Sequence, residues 1–128
     1  MKLGLQIVVG ILSLIPGLYG LVNTWVGAAR FLEPDVVNAA IDSQFRFQSG
    51  IYFGLAIMIW YAIPRIDRAT TLFRMIALTI FVGGLGRLLS WLTVGQPDAI
   101  MTGAMFLELS VPVLILWQNA IRTDRMSA

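Results

Sequence analysis

Apolar residues fall in four long runs, over residues 3–26, 45–63, 71–94 and 99–120, each broken by only a few polar side chains. A helix rising 1.5 Å per residue needs about 20 such residues to cross the hydrocarbon of a bilayer. The pattern predicts an all-α polytopic membrane protein, with residues 1–128 forming one four-transmembrane-helix bundle. Two of the intervening breaks are short and carry turn residues: Pro64-Arg65-Ile66-Asp67-Arg68 and Gly95-Gln96-Pro97-Asp98. The longest break runs from Gly27 to about Gln44. There Pro34 and Asp35 suit the opening turn of a helix, and Val36, Val37, Ala40 and Ile41 form an apolar side. A short interfacial helix after the first span is expected, or an early start to the second span.

Composition agrees with the pattern and narrows the chemistry. Of 128 residues, 58% are hydrophobic and 12% charged, whereas a soluble domain carries roughly 25% charged residues. The absence of cysteine and histidine removes disulfides, thiolate catalysis and the commonest metal ligands, so no metal or cofactor is expected. The net charge of +2 comes from arginines scattered between the spans. With no basic stripe, nucleic acid is excluded as a partner. The scatter is also directional. If the N-terminus is inside, Lys2, Arg65, Arg68, Arg74, Arg122 and Arg125 are inside as well. The outer side then holds Arg30 with Glu33, Asp35 and Asp98. That asymmetry predicts cytoplasmic termini in a bacterial inner membrane. The first run is too long for a secretory signal and reads as an uncleaved span.

Three charges remain within the spans: Arg46, Arg87 and Glu108. A charge at the centre of a bilayer costs about 2.5–3.5 kcal/mol on insertion scales, so such residues face protein and find partners. Counted along their helices, all three lie in the outer half of the membrane, with Asn23, Gln48, Ser49 and Ser90 at similar depth. Asp42 and Arg46 are four residues apart and pair along one helix face. Arg87 is expected against Glu108 of the next span. Gly50, Gly54, Gly83 and Gly86 are assigned to close helix packing. Pro16 and Pro112 are expected to kink their helices. Trp25, Trp60, Tyr61, Trp91 and Trp117 fall near span ends, where an aromatic belt forms.

The run Asp42-Ser43-Gln44-Phe45-Arg46-Phe47-Gln48-Ser49-Gly50 with Gly54, the Gly86-Arg87-Leu88-Leu89-Ser90 segment and Leu107-Glu108-Leu109 together suggest a family. They resemble a group of small bacterial integral membrane proteins catalogued as a domain of unknown function, over nearly the whole chain. The resemblance implies a four-helix unit with Asp42, Arg46, Gly50, Arg87 and Glu108 as its polar signature, and no particular activity. DoxX-like and sterol-isomerase-like membrane bundles are similar in architecture by analogy.

Three functions are compatible with these features. The first is binding of a membrane lipid or other amphipathic small molecule, with Asn23, Asp42, Arg46, Gln48, Arg87, Ser90, Trp91 and Glu108 around it. The second is an accessory or structural subunit, packed against copies of itself or within a larger membrane complex. The third is a lipid-modifying isomerase using Glu108 as general acid or base.

Overall fold

The computed structural model describes residues 1–126, with side chains through Thr123. It is built of helices: α1 (Lys2–Val26), α2 (Ala39–Ala62), α3 (Thr70–Thr93), α4 (Ala99–Ser110) and α5 (Pro112–Met126). Single 3-10 turns at Ala28–Arg30 and Ile63–Arg65 complete the elements. Four stretches, Lys2–Val26, Ala39–Arg65, Thr70–Thr93 and Ala99–Thr123, are long and apolar enough to cross a membrane. The chain is a multi-pass membrane protein. The side chain of Arg125, counted above for the threading, lies outside the described residues.

Helix ends follow local chemistry. The second span begins early, at Ala39, because the Asn38 side chain accepts from Ile41 N at 3.0 Å and caps the helix. Pro34 and Asp35 lie in a turn before it, and the one helical turn in this connection is Ala28–Arg30. Asp98 caps α4 through Met101 N at 2.9 Å. Pro16 is accommodated within an unbroken α1. Pro112, by contrast, divides the fourth span. Lacking an N–H, it leaves Val111 N bonding back to Glu108 O at 3.4 Å, and Leu114 N to Val111 O at 2.9 Å. The Ser110 hydroxyl donates to the Leu107 carbonyl at 2.7 Å. Along the spans, Thr24, Ser49, Thr79 and Thr93 likewise donate to carbonyls one turn back, which satisfies hydroxyls where water is scarce.

The chain divides into two compact units, Gln6–Pro64 and the combination of Met1–Leu5 with Arg65 onward. In the first, α1 and α2 form an antiparallel hairpin. Gln6 Nε2 donates to Ile63 O at 2.8 Å, and Trp60 Nε1 donates to the buried Ser13 hydroxyl at 2.9 Å. Further along, α1 presents Gly17 and Gly20. A Cβ at Gly17 would lie 2.8 Å from the Trp60 ring, and one at Gly20 only 2.5 Å from Phe53 N and 2.7 Å from Ser49 O. The two backbones therefore touch. The face that allows this is a stripe of small residues at alternating steps of three and four: Gly10, Ser13, Gly17, Gly20, Thr24 and Gly27.

In the second unit α3 packs antiparallel to α4 and α5. A Cβ at Gly84 would come within 3.0 Å of Glu108 Cβ and 3.2 Å of the Leu109 side chain. One end gathers three parts of the chain. Lys2 Nζ lies 2.8 Å from Asp67 Oδ1, Gln118 Nε2 donates to Ile66 O at 2.5 Å, and Arg74 Nη2 donates to Asn119 Oδ1 at 2.6 Å. The chain start, the α2–α3 connection and α5 therefore share one end of this unit. Lys2, Arg65 and Arg68 are on those segments, Arg74 is in the first turns of α3 beside Asn119, and Arg122 lies one turn beyond Gln118.

Candidate functional site

Both charge pairs expected from the sequence are present, one in each unit. Their surroundings differ.

In the first unit Arg46 Nε bonds Asp42 Oδ2 at 2.7 Å along one face of α2. Its other nitrogens reach the carbonyls that α1 leaves open at its C-terminus. Nη1 donates to Thr24 O at 2.9 Å and to Trp25 O at 2.6 Å, and Nη2 to Val26 O at 3.4 Å. The negative end of a helix dipole and unused carbonyls attract a cation at this position. Asp42 Oδ1 meanwhile accepts from Ala28 N at 2.9 Å. Gly27 turns the chain between them at φ +82°, a left-handed backbone that suits glycine. A Cβ there would fall on the Asp42 carboxylate and the Arg46 guanidinium. Every nitrogen of Arg46 is engaged, so the residue is a clasp that closes the α1–α2 corner.

In the second unit Arg87 Nε bonds Glu108 Oε2 at 2.9 Å, and Nη1 lies 3.1 Å from the Met101 sulfur. Arg87 stands nearly one turn beyond Gly84, whose missing side chain lets α3 approach α4 at Glu108. Trp91, one further turn along, meets Phe106 edge-on at 6.3 Å.

The polar group left unsatisfied in the first unit is Asn23. Its side chain is 0% exposed, and its Nδ2 has no hydrogen-bond partner. Oδ1 accepts only a long bond, 3.5 Å, from Arg30 Nη1. Arg30 fixes the amide's orientation, since turning it over would set two donors against each other. Arg30 itself is exposed and has no carboxylate partner among the described residues; its guanidinium lies 5.5 Å from the centre of the Phe31 ring. Phe31 packs against Tyr19 at 6.1 Å and Phe45 at 5.5 Å, and Tyr19 against Tyr52 at 6.0 Å. The result is a buried donor and an unneutralised cation beside an aromatic wall. Gln118 Oε1 and Arg74 Nε are also buried without partners. Each of those side chains is anchored by a short bond, however, and the remaining acceptor and donor are of the kind ordered water serves.

The expected site residues are therefore distributed as follows. Asn23, Asp42 and Arg46 lie together in the first unit; Arg87, Trp91 and Glu108 lie together in the second. Gln48 and Ser90 are on exposed faces of their helices. Of the glycines assigned to packing, a Cβ at Gly50 would reach only Thr24 Oγ1 at 3.9 Å, and at Gly54, Gly83 or Gly86 nothing within 4 Å. Close approaches are made instead at Gly17, Gly20, Gly27 and Gly84. Arg30 was absent from the expected site. Arg30 lies beyond the end of α1 and the turn at Gly27, so helical spacing from Asn23 could not have found it.

The chain belongs to the family described as a domain of unknown function (DUF4345), which it matches over residues 4–118. No curated protein and no solved structure matches it.

Proposed function

We infer that this chain is a bacterial cytoplasmic-membrane protein, with both termini inside, that binds an amphipathic, lipid-like molecule. The ligand's polar end lies at the Asn23 end of the Gln6–Pro64 unit. The observation that carries the reading is the unsatisfied amide of Asn23 beside Arg30. A buried polar group without a partner costs about 1–3 kcal/mol, and it persists where a ligand supplies the missing acceptor. Arg46 and Arg87 offer less, because their donors already serve helix ends and side chains. The aromatic wall of Tyr19, Phe31 and Phe45 suits an apolar tail. The orientation rests on the basic segments gathered at one end of the second unit.

Native mass spectrometry of the full chain, released from its membrane in a mild detergent, tests this. Wild-type protein carries an adduct of lipid size, and Asn23→Leu loses it. If wild-type protein shows no adduct, and none forms on adding total membrane lipid, the reading is wrong.

A second reading is favoured by one observation. Only 6% of the fourth span's most apolar window is buried, against 22–28% for the other three spans, and Gly83, Gly86 and Gly103 lie on exposed faces. Such surfaces suit a neighbouring helix as well as they suit lipid. A membrane-complex partner or a second copy recovered at fixed stoichiometry in mild detergent would support an accessory role.

A further inference from the structure

The geometry points to Asn23 and Arg30 as a receptor for the terminal carboxylate of a single-chain fatty acid, with the alkyl chain running along Tyr19 and Phe31. This assignment rests on the ligand-binding reading above and specifies its chemistry. It also gives the charge-reading role to Arg30, which the sequence places in an outer connection, and not to Arg46.

Arg46 and Arg30 differ in what they can still donate. Arg46 closes a helix end and is held by Asp42. Arg30 has only a 3.5 Å contact and a ring face, and its charge is unneutralised among the described residues. One amide N–H2 and one guanidinium present two donor groups and one positive charge. A carboxylate brings two acceptor oxygens and one negative charge, so both count and charge match. Arginine's planar fork favours a planar anion.

Shape decides between anions. Asn23 is 0% exposed, so whatever reaches its Nδ2 must be slender and must end there. A fatty-acid carboxylate is planar and terminates its chain. A phosphodiester is tetrahedral and carries substituents on two sides, which places its anionic oxygens in the middle of a larger headgroup. Arg30 is the exposed neighbour of the buried amide. That side chain is exposed and weakly tethered, so it can lift from Phe31, admit the carboxylate and close over it. Tyr19 lies one turn before Asn23 on α1 and packs against Phe31, which continues the site as an apolar surface where an alkyl chain fits. The α1–α2 corner beside it is held by the Gly27–Asp42–Arg46 clasp, so binding need not rearrange the helices.

The test uses the full chain in dodecyl maltoside with tritiated palmitate in a scintillation proximity assay. Palmitate is expected to bind saturably and to be displaced by oleate but not by palmitic acid methyl ester, which has the same chain without the charge. Loss of a charge-assisted hydrogen bond corresponds to about tenfold or more in affinity. Arg30→Gln and Asn23→Asp should each weaken binding by at least that factor. Asn23→Asp keeps the side chain's shape and places a carboxylate beside Arg30, which repels a ligand carboxylate and takes the arginine's charge, so binding should be lost in protein that still folds. Arg68→Gln, the same chemical change in the α2–α3 connection, should leave binding intact. If Asn23→Asp fails to fold, Arg30→Gln decides, because that residue is exposed. Methyl ester competing as well as the acid, or unchanged binding in Arg30→Gln, overturns the assignment. Binding of lysophosphatidylglycerol without binding of palmitate overturns the carboxylate class and leaves the lipid-binding reading standing. Binding of neither overturns both.

Discussion

A single arginine within a span has to be answered by something, and Arg46 and Arg87 are answered in different ways. Arg87 meets a carboxylate on the neighbouring helix at 2.9 Å, with side-chain exposures of 28% for the arginine and 12% for Glu108. Removing one partner of such a pair strands the other charge, whereas removing both leaves an apolar contact. Arg87→Met or Glu108→Met alone should therefore destabilise the protein by roughly 2 kcal/mol or more, and the double variant should recover most of that loss. Thermal unfolding in detergent across the four proteins checks this cycle. Additive losses would mean that the two side chains do not support one another. This pair was legible in the sequence, because an acid and a base at matching depth on consecutive spans have few other solutions. Arg46 was only half legible. Its i, i+4 partner Asp42 could be read from spacing, but its acceptors at Thr24, Trp25 and Val26 are backbone carbonyls, and every residue has one. Asn23 was legible as a polar residue at depth. That its amide lacks an acceptor depends on which groups surround it, and spacing does not encode that.

At the scale of the element, the number and order of the spans follow from apolar run length, and the α4–α5 break follows from Pro112. The helix-packing glycines do not follow from GxxxG-like spacing alone. Span two offered Gly50 and Gly54, and span three offered Gly83 and Gly86. The close contact at α3, however, is made by Gly84, which sits between the latter two and points toward Glu108. Spacing marks a face as narrow without saying which face meets a neighbour. The better signal was the long stripe in α1, from Gly10 to Gly27, where six small residues recur over more than four turns. Gly20→Ala places a methyl against the backbone of α2 and should lower the unfolding temperature clearly. Gly54→Ala and Gly83→Ala meet nothing, and they should be neutral or slightly stabilising, since alanine is the better helix former by about 1 kcal/mol. Equal effects at all three positions would contradict the placement of the α1–α2 contact.

For the molecule as a whole, the apolar character of the sequence established membrane residence, and the distribution of arginine predicts an orientation that sidedness labelling can test. The geometry adds that Lys2, the Arg65–Arg68 connection and α5 share one end of the second unit. The chain contains no cysteine, so single cysteines can report sidedness without background. In intact cells, cysteines replacing Glu33 and Gln96 should react with a membrane-impermeant maleimide. Cysteines replacing Arg68 and Arg122 should react only after permeabilisation. The reverse pattern would invert the threading and put the Asn23 end on the cytoplasmic side.

The ligand claim concerns one nitrogen atom, and a density map of the protein purified from its own membrane would examine that atom directly. An elongated feature is expected that ends within hydrogen-bonding distance of Asn23 Nδ2 and the Arg30 guanidinium and extends along Tyr19 and Phe31. A map in which Nδ2 bonds only to the protein or to a single water, with Phe31 and Arg30 closed tightly over it, would contradict it.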